Sequence, residues 1–379
     1  MTVTAPAQPA TQRLLSVDAL RGITVAFMIL VNNNGSETAS YRALNHAPWN
    51  GFTPTDLVFP TFMFIMGISL VLSLAGRLEK GATAADILPH AIRRFFLLLF
   101  FGLVVNGFPL FRLSTLRVYG VLQRFAVCYI LAVLILLATR KVSVMVGIAA
   151  ACLIGYWVLL RFVPIPGHGL PVRDFPLLDR DINLTAWLDR HIFPGRLYES
   201  TRDPEGLLSD LPALATVLLG MITGIWIRTT RSLQAKALGL LAAAIVLLIA
   251  GYVWNFSFPI NKKLWTSSYV LFAAGWSLLG LTIMWFLVEV RKVPARWFLP
   301  AFVFGMNAIS AYVLSELLAG GISAIRITPQ QSLQQWIYVH IFQSIGTPAI
   351  GSLLYSLAFV LVCWLPMFVL YRRKIFLKL

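Results

Sequence analysis

Residues 45–60, NHAPWNGFTPTDLVFP, set a titratable ring, His46, among an indole and two amides, Trp49, Asn45 and Asn50, and close with a carboxylate, Asp56. The chain then turns apolar. Further polar side chains sit where apolar runs leave little room for them. Asn32, Asn33 and Asn34 end the first such run. Arg124, with Gln123 beside it, lies about two turns inside another, and Glu316 lies near the end of a third, nine residues after Asn307. Asn261, Lys262 and Trp265 fall together in NKKLWTSSY. Amides hydrogen-bond hydroxyl groups, and tryptophan offers a flat apolar face with one polar edge. Ionisable groups within membrane segments are costly and mark function by default. The chemistry suggested is a polar pocket that recognises a sugar beside a histidine. Helix-end asparagines explain part of the 32–34 run, but three in succession point to the pocket.

A second set of residues is cationic. Asp18 and Arg21 lie three apart, on one helix face, as a structural ion pair or as half of an anion site. Arg93, Arg94, Arg140, Lys141, Arg291 and Lys292 gather at the same ends of successive apolar runs. Arginine clusters suit phosphates, and topogenic charge is the alternative explanation. Cys128, Cys152 and Cys363 sit inside apolar runs with no metal-binding spacing. No metal site is expected. No HExxH, GxSxG or P-loop is present, so protease, hydrolase and ATPase readings lack support.

The elements that must hold these groups are membrane helices. The composition is 58% hydrophobic and 12% charged, against about 25% charged in soluble domains. Apolar runs of about 17–23 residues match a hydrocarbon core of roughly 30 Å. Ten spans are expected, near 19–33, 57–75, 92–107, 118–138, 143–162, 208–228, 236–254, 266–288, 297–318 and 349–370. Lys and Arg placement orients them with both termini in the cytoplasm. On this reading the net charge of +16 is topogenic rather than a nucleic-acid signal. Residues 1–12 are expected to be a disordered cytoplasmic tail without a signal peptide, and residues 13–379 a single membrane domain. Its long outer loop, 163–207, has a length typical of binding elements and lids. Residues 331–345 read as an interfacial or re-entrant helix. The fold expected is all-α, a polytopic bundle in which Asn32, His46, Asp56, Arg124, Asn261, Lys262, Trp265 and Glu316 converge from the outer half.

The stretches RLLSVDALRGITVAFMILVNN, HAPWNGFTPTDLVFPTFMFIMG, RVYGVLQRFAV, YESTRDPEGLLSDLPAL, NKKLWTSSYVLFAAG, GMNAISAYVLSE and LYRRKIFLKL, in that order, resemble the heparan-α-glucosaminide N-acetyltransferase family. The chain looks like its compact bacterial members linked to N-acetylglucosamine use. The resemblance implies a membrane acetyltransferase with cytosolic acetyl-CoA as co-substrate and a glucosamine-type acceptor on the far side. It also implies that His46 is the catalytic histidine, that an asparagine of 32–34, Asn32 first, is its partner, and that Arg124 is the arginine of the GVLQR motif. Residue chemistry is compatible with this. Acyl transfer needs a base near neutral pH and donors for the developing oxyanion, and a histidine can alternatively accept the acyl group itself.

The expectation is therefore a multi-pass acetyltransferase of a bacterial inner membrane, homodimeric, embedded in lipid and without a nucleic-acid partner. His46, Asn32 and Asp56 are the catalytic candidates. Asn33, Trp49, Asn50, Arg124, Asn261, Lys262, Trp265 and Glu316 are the acceptor candidates. Arg21, Arg93, Arg94, Gln123 and Asn307 are those for the CoA group. An N-acetylglucosamine transporter and a periplasmic glycan O-acetyltransferase are the alternatives.

Overall fold

A computed structural model describes residues 14–36, 38–193 and 195–377. The expected tail over 1–12 lies outside the described residues, as do Arg13 and Lys378. The helices are α1 (Leu15–Asn32), α2 (Val58–Glu79), α3 (Ala84–Gly107), α4 (Val121–Ala138), α5 (Val142–Phe162), α6 (Leu184–Ile192), α7 (Asp210–Arg228), α8 (Leu233–Trp254), α9 (Ser267–Trp285), α10 (Leu299–Met306), α11 (Ala308–Ala324), α12 (Leu333–Ile337) and α13 (Pro348–Arg372). One small antiparallel pair, β1 (Arg326–Thr328) with β2 (Gln331–Ser332), precedes α12. The chain is a polytopic all-α membrane protein. Among the described residues nine helices are long and apolar enough to cross a membrane, or ten if one bent pair crosses as a single span.

Local sequence sets where the spans begin. Thr53 and Asp56 form a capping box, with Pro54 in the first turn, on a 3₁₀ turn that leads into α2. Thr83 and Asp86 do the same for α3. That box starts α3 about two turns before the apolar run at 92, because its first turns carry Asp86 and His90 and are not read from hydropathy. The tenth span departs from the continuous helix expected over 297–318. It bends by 72° between α10 and α11, where Asn307 leaves helical geometry at φ −128°, ψ 41°. The Asn307 amide instead donates to the Ile375 carbonyl (3.2 Å) and accepts from the Leu377 amide (3.0 Å). The C-terminal segment thus pairs with both polar atoms of the Asn307 side chain. Residues 333–342 form one turn of α-helix continued by a π-helical turn, too short to span.

The bundle has inner and outer helices. Some 72% of the apolar stretch of α2 is buried inside the protein, and the same share for α7, against 22% for each of α3, α5 and α8. Glycines let the inner helices touch. A side chain at Gly67 of α2 would collide with the Val217 carbonyl of α7, and one at Gly220 with the Phe64 carbonyl. Gly22 and Gly305 meet α10 and α1 backbone in the same way. In a membrane such small-residue contacts supply the packing that water exclusion cannot. Replacing Gly67 or Gly220 by valine should cost about 1–3 kcal/mol. This would be read as a lower melting temperature in detergent, and an unchanged melting curve would show that the two backbones need not meet.

Candidate active site

Asp56 is the anchor of the His46 site. Its carboxylate accepts from the Thr53 amide (2.9 Å), the Thr53 hydroxyl (3.1 Å) and the Ala47 amide (3.2 Å). Its own carbonyl accepts from the Tyr269 hydroxyl (2.6 Å). Fixed in this way, Oδ1 receives the His46 Nδ1–H at 2.7 Å. That bond selects the tautomer and leaves Nε2 as the basic nitrogen. The Asp56 side chain is wholly buried, whereas the His46 side chain keeps 43% of its surface open, on the wall of a large cavity. Burial and the neighbouring Lys262 ammonium lower the His46 pKa, against the opposing pull of Asp56 and Glu205. The imidazole is therefore neutral at neutral pH, the form a base needs.

The cavity has a volume of about 1430 Å³ and takes one face of α2 and of the 3₁₀ turn that leads into it, at Thr55, Val58, Phe62, Ile65, Ser69, Ser73 and Leu74. Thr55 and Leu74 are nineteen positions apart, roughly 28 Å along a helix. That is close to the roughly 30 Å of a hydrocarbon core. At one end stand His46, Asn32, Asn34, Arg117, Glu205, Lys262 and Glu316; at the other, Arg21, Arg94 and Gly305. Between them the wall is apolar, with Met28, Phe62, Ile65 and Met66.

Several sequence candidates meet here. Asn32 opens onto the cavity, its amide 3.5 Å from Glu316 Oε1. Asn34 reaches Asn45 Oδ1 at 3.3 Å, next to His46. Lys262 lies 3.8 Å from Glu205. At the opposite end Arg21 binds Asp18 (2.7 Å), the Gly305 carbonyl (3.2 Å) and the Ser69 hydroxyl (2.7 Å). Arg94 lies 4.7 Å over the Tyr129 ring, and its buried Nε has no partner among the described residues. An unpartnered guanidinium N–H, a second arginine and two serine hydroxyls suit a phosphorylated group at this end. The apolar middle suits a flexible acyl arm.

Other candidates hold the wall from behind. Asn33 is buried, donates to the Ile29 carbonyl (2.8 Å) and does not line the cavity. Arg124 has no exposed surface. It binds Asp210 (3.0 Å), the Gly206 carbonyl (3.0 Å) and the Ser209 hydroxyl, and its guanidinium sits 5.0 Å over Trp265. Trp265 is itself fully buried. Trp49 donates to the Leu178 carbonyl (2.8 Å) and lies under Arg180 and Arg202, pinning the 163–207 loop. Asn50 accepts from Asn261 (3.1 Å), which joins two loops. Arg93 is exposed away from the cavity, Gln123 is buried against Gly102 between α3 and α4, and Asn307 holds the C-terminal segment.

One cluster goes beyond the sequence candidates. Arg117 grips Asp203 with Nε (2.8 Å) and Nη2 (2.5 Å), and reaches Glu205 at 2.5 Å. Although burial opposes it, Lys262, Arg117 and Arg124 hold the Glu205 carboxyl well below its ordinary range. Glu205 is thus a fixed anion at the mouth. In the sequence these residues fall within two of the stretches that carry the family resemblance, RVYGVLQRFAV and YESTRDPEGLLSDLPAL, without being singled out there.

Two outcomes follow. Lys262→Ala removes a cation that lowers the His46 pKa, so the acid limb of the kcat/KM–pH profile should move to higher pH. A limb that stays put, or moves lower, would detach that limb from His46. Arg124→Leu strands the buried Asp210 carboxylate and should cost about 3–5 kcal/mol of stability, measured as lost melting temperature. A variant that keeps its stability but loses acceptor affinity would instead make Arg124 a ligand-contacting group.

A family model described as heparan-alpha-glucosaminide N-acetyltransferase, catalytic, matches residues 13–253. Heparan-alpha-glucosaminide N-acetyltransferase of Homo sapiens is 30% identical over 438 residues, covering 98% of this chain and 62% of that protein. The Mus musculus protein of the same name is 28% identical over 435 residues, with the same coverage. The chain therefore spans less than two thirds of the length of these curated relatives.

Proposed function

The chain belongs to the heparan-alpha-glucosaminide N-acetyltransferase family, and from that premise we propose that it transfers an acetyl group through a membrane. The donor is acetyl-CoA, taken up at the Arg21–Arg94 end, and the acceptor is an amino sugar of the glucosamine type at the His46 end. The observation that supports this reading best is the cavity itself. It runs the length of a span, with cations at one end, apolar walls in the middle, and a histidine, amides and carboxylates at the other.

In this reading Arg94 and Arg21 hold the CoA phosphates. His46 Nε2 takes the proton that the acceptor nitrogen loses as it bonds the acyl carbon. It returns that proton to the sulfur as the C–S bond breaks. Asp56 holds the ring and stabilises the transient imidazolium. Asn32 or Asn34 donates to the oxyanion on the acyl carbon. The proposed setting is a bacterial inner membrane, and the Lys and Arg asymmetry of the loops supports an orientation with both termini cytoplasmic.

The test is purified protein given acetyl-CoA and a panel of glucosamine and N-acetylglucosamine acceptors, with free CoA and product mass as readouts. His46→Ala should lower kcat by about 10²–10⁴; full activity in that variant would remove His46 from the chemistry. A burst of CoA release without acceptor would assign His46 as nucleophile rather than base. Product mass and position separate N- from O-transfer.

One observation favours the transporter alternative, the broken span at Asn307, since discontinuous helices recur at transport sites. Sugar uptake into proteoliposomes without acetyl-CoA would support it. The clamp of Asn307 onto the C-terminal segment speaks for a fixed bend instead.

A further inference from the structure

A second cavity, of about 400 Å³, adjoins the first at the His46 end. It lies between the end of α1 and the helical segment 333–342. Val31, Asn32 and Asn34 line both cavities. Its remaining polar wall comes from Ser36, Gln334, Gln335 and Tyr338. Gln335 Oε1 is committed to the Ser332 amide at 3.0 Å, so the group it can offer a ligand is its NH2. Asn34 Oδ1, between the cavities, is buried with no hydrogen-bond partner among the described residues. A buried, unsatisfied acceptor calls for a donor that the described residues do not supply. No charged side chain lines this cavity among the described residues, whereas the first carries Arg117, Glu205, Lys262 and Glu316 at the same end. The volume falls in the range of small-ligand sites, about 300–1,000 Å³.

We propose that the second cavity binds the neighbouring, uncharged sugar unit of an oligosaccharide acceptor whose terminal amino sugar reacts at His46. The inference rests on the acetyltransferase reading of the first cavity. Asn32 and Asn34 stand between the two spaces, so a ring reacting in one and a ring linked to it can sit on either side of the same two amides. Amide and hydroxyl groups match the alternating donors and acceptors of a neutral sugar. A uronate or sulfate would be desolvated there without a countercharge, which is costly. The preferred acceptor is accordingly a neutral glycan end, not a free monosaccharide and not an acidic chain.

The experiment compares glucosamine, a glucosaminyl–N-acetylglucosamine disaccharide and a glucosaminyl–glucuronic acid disaccharide on wild type, Val339→Trp and Val339→Ala. Val339 lines only the second cavity and is 42% exposed, so an indole there fills the cavity without disturbing the core. Wild type should prefer the neutral disaccharide over glucosamine by about tenfold in kcat/KM, equivalent to about 1.4 kcal/mol. It should gain nothing from the uronate. Val339→Trp should abolish the preference with glucosamine turnover unchanged, and Val339→Ala should keep it. Acetylation of glucosamine without a disaccharide preference, or an equal loss on all acceptors in Val339→Trp, overturns the second site and leaves the acetyltransferase reading standing. If no acceptor is acetylated, that reading falls, and calorimetric titration of the neutral disaccharide decides the site. Binding by wild type that Val339→Trp abolishes supports it, and equal or absent binding overturns it.

Discussion

A polar side chain inside a membrane bundle must find a partner or face a cavity, because the hydrocarbon offers neither hydrogen bonds nor counterions. That constraint sorts most of the polar residues named above, Gln123, buried without a partner among the described residues, being an exception. Arg124 is wholly buried, and Asp210, Ser209 and the Gly206 carbonyl surround it. Arg21, Asn32 and Glu316 sit at membrane depth on the wall of the large cavity. The cavity in turn depends on two faces of one helix. Gly67 and Phe64 press α2 against α7, while Val58, Phe62, Ser69 and Leu74 of the same helix line the open space. Close packing on one side holds α2 in place while the other side stays open.

At the His46 end electrostatics are divided between two tasks. Asp56 is spent on orientation, with its oxygens taken up by two backbone amides, a hydroxyl and the imidazole. The charges that set the local field stand opposite. Arg117, Asp203, Glu205 and Lys262 form a connected frame on the 163–207 loop and its neighbours. Lys262 and burial keep the histidine neutral, and Asp56 keeps it pointed. A base needs both conditions, and different residues provide them.

Much of the bundle was legible from composition. Spans near 57–75, 118–138, 208–228 and 236–254 correspond to α2, α4, α7 and α8 within a few residues. The start of α3 was missed because the apolar run begins only after its capped, polar first turns. The break at Asn307 does not show in hydropathy, because the apolar run continues through it, and the partners of the Asn307 side chain lie some seventy residues away, in the backbone of Ile375 and Leu377. For the site, depth was readable and direction was not. His46, Asn32, Lys262, Glu316, Arg21 and Arg94 face the cavity, whereas Asn33, Trp49, Asn261, Trp265 and Arg124 support it from behind. Asn32 and Asn33 are adjacent in sequence, yet Asn32 lines the cavity whereas Asn33 turns back to the Ile29 carbonyl.

Residue types and their order were enough for the membrane class, the helical fold, the approximate spans and the presence of a histidine among amides. These properties depend on run length and hydropathy, which are local. Tertiary packing alone decided which helix faces enclose the cavity, which arginine is walled in and which is open, and that Arg117 and Glu205, far apart in the chain, meet beside His46. A helix carries its periodicity in its own sequence, but which face turns inward is set by the neighbours it packs against.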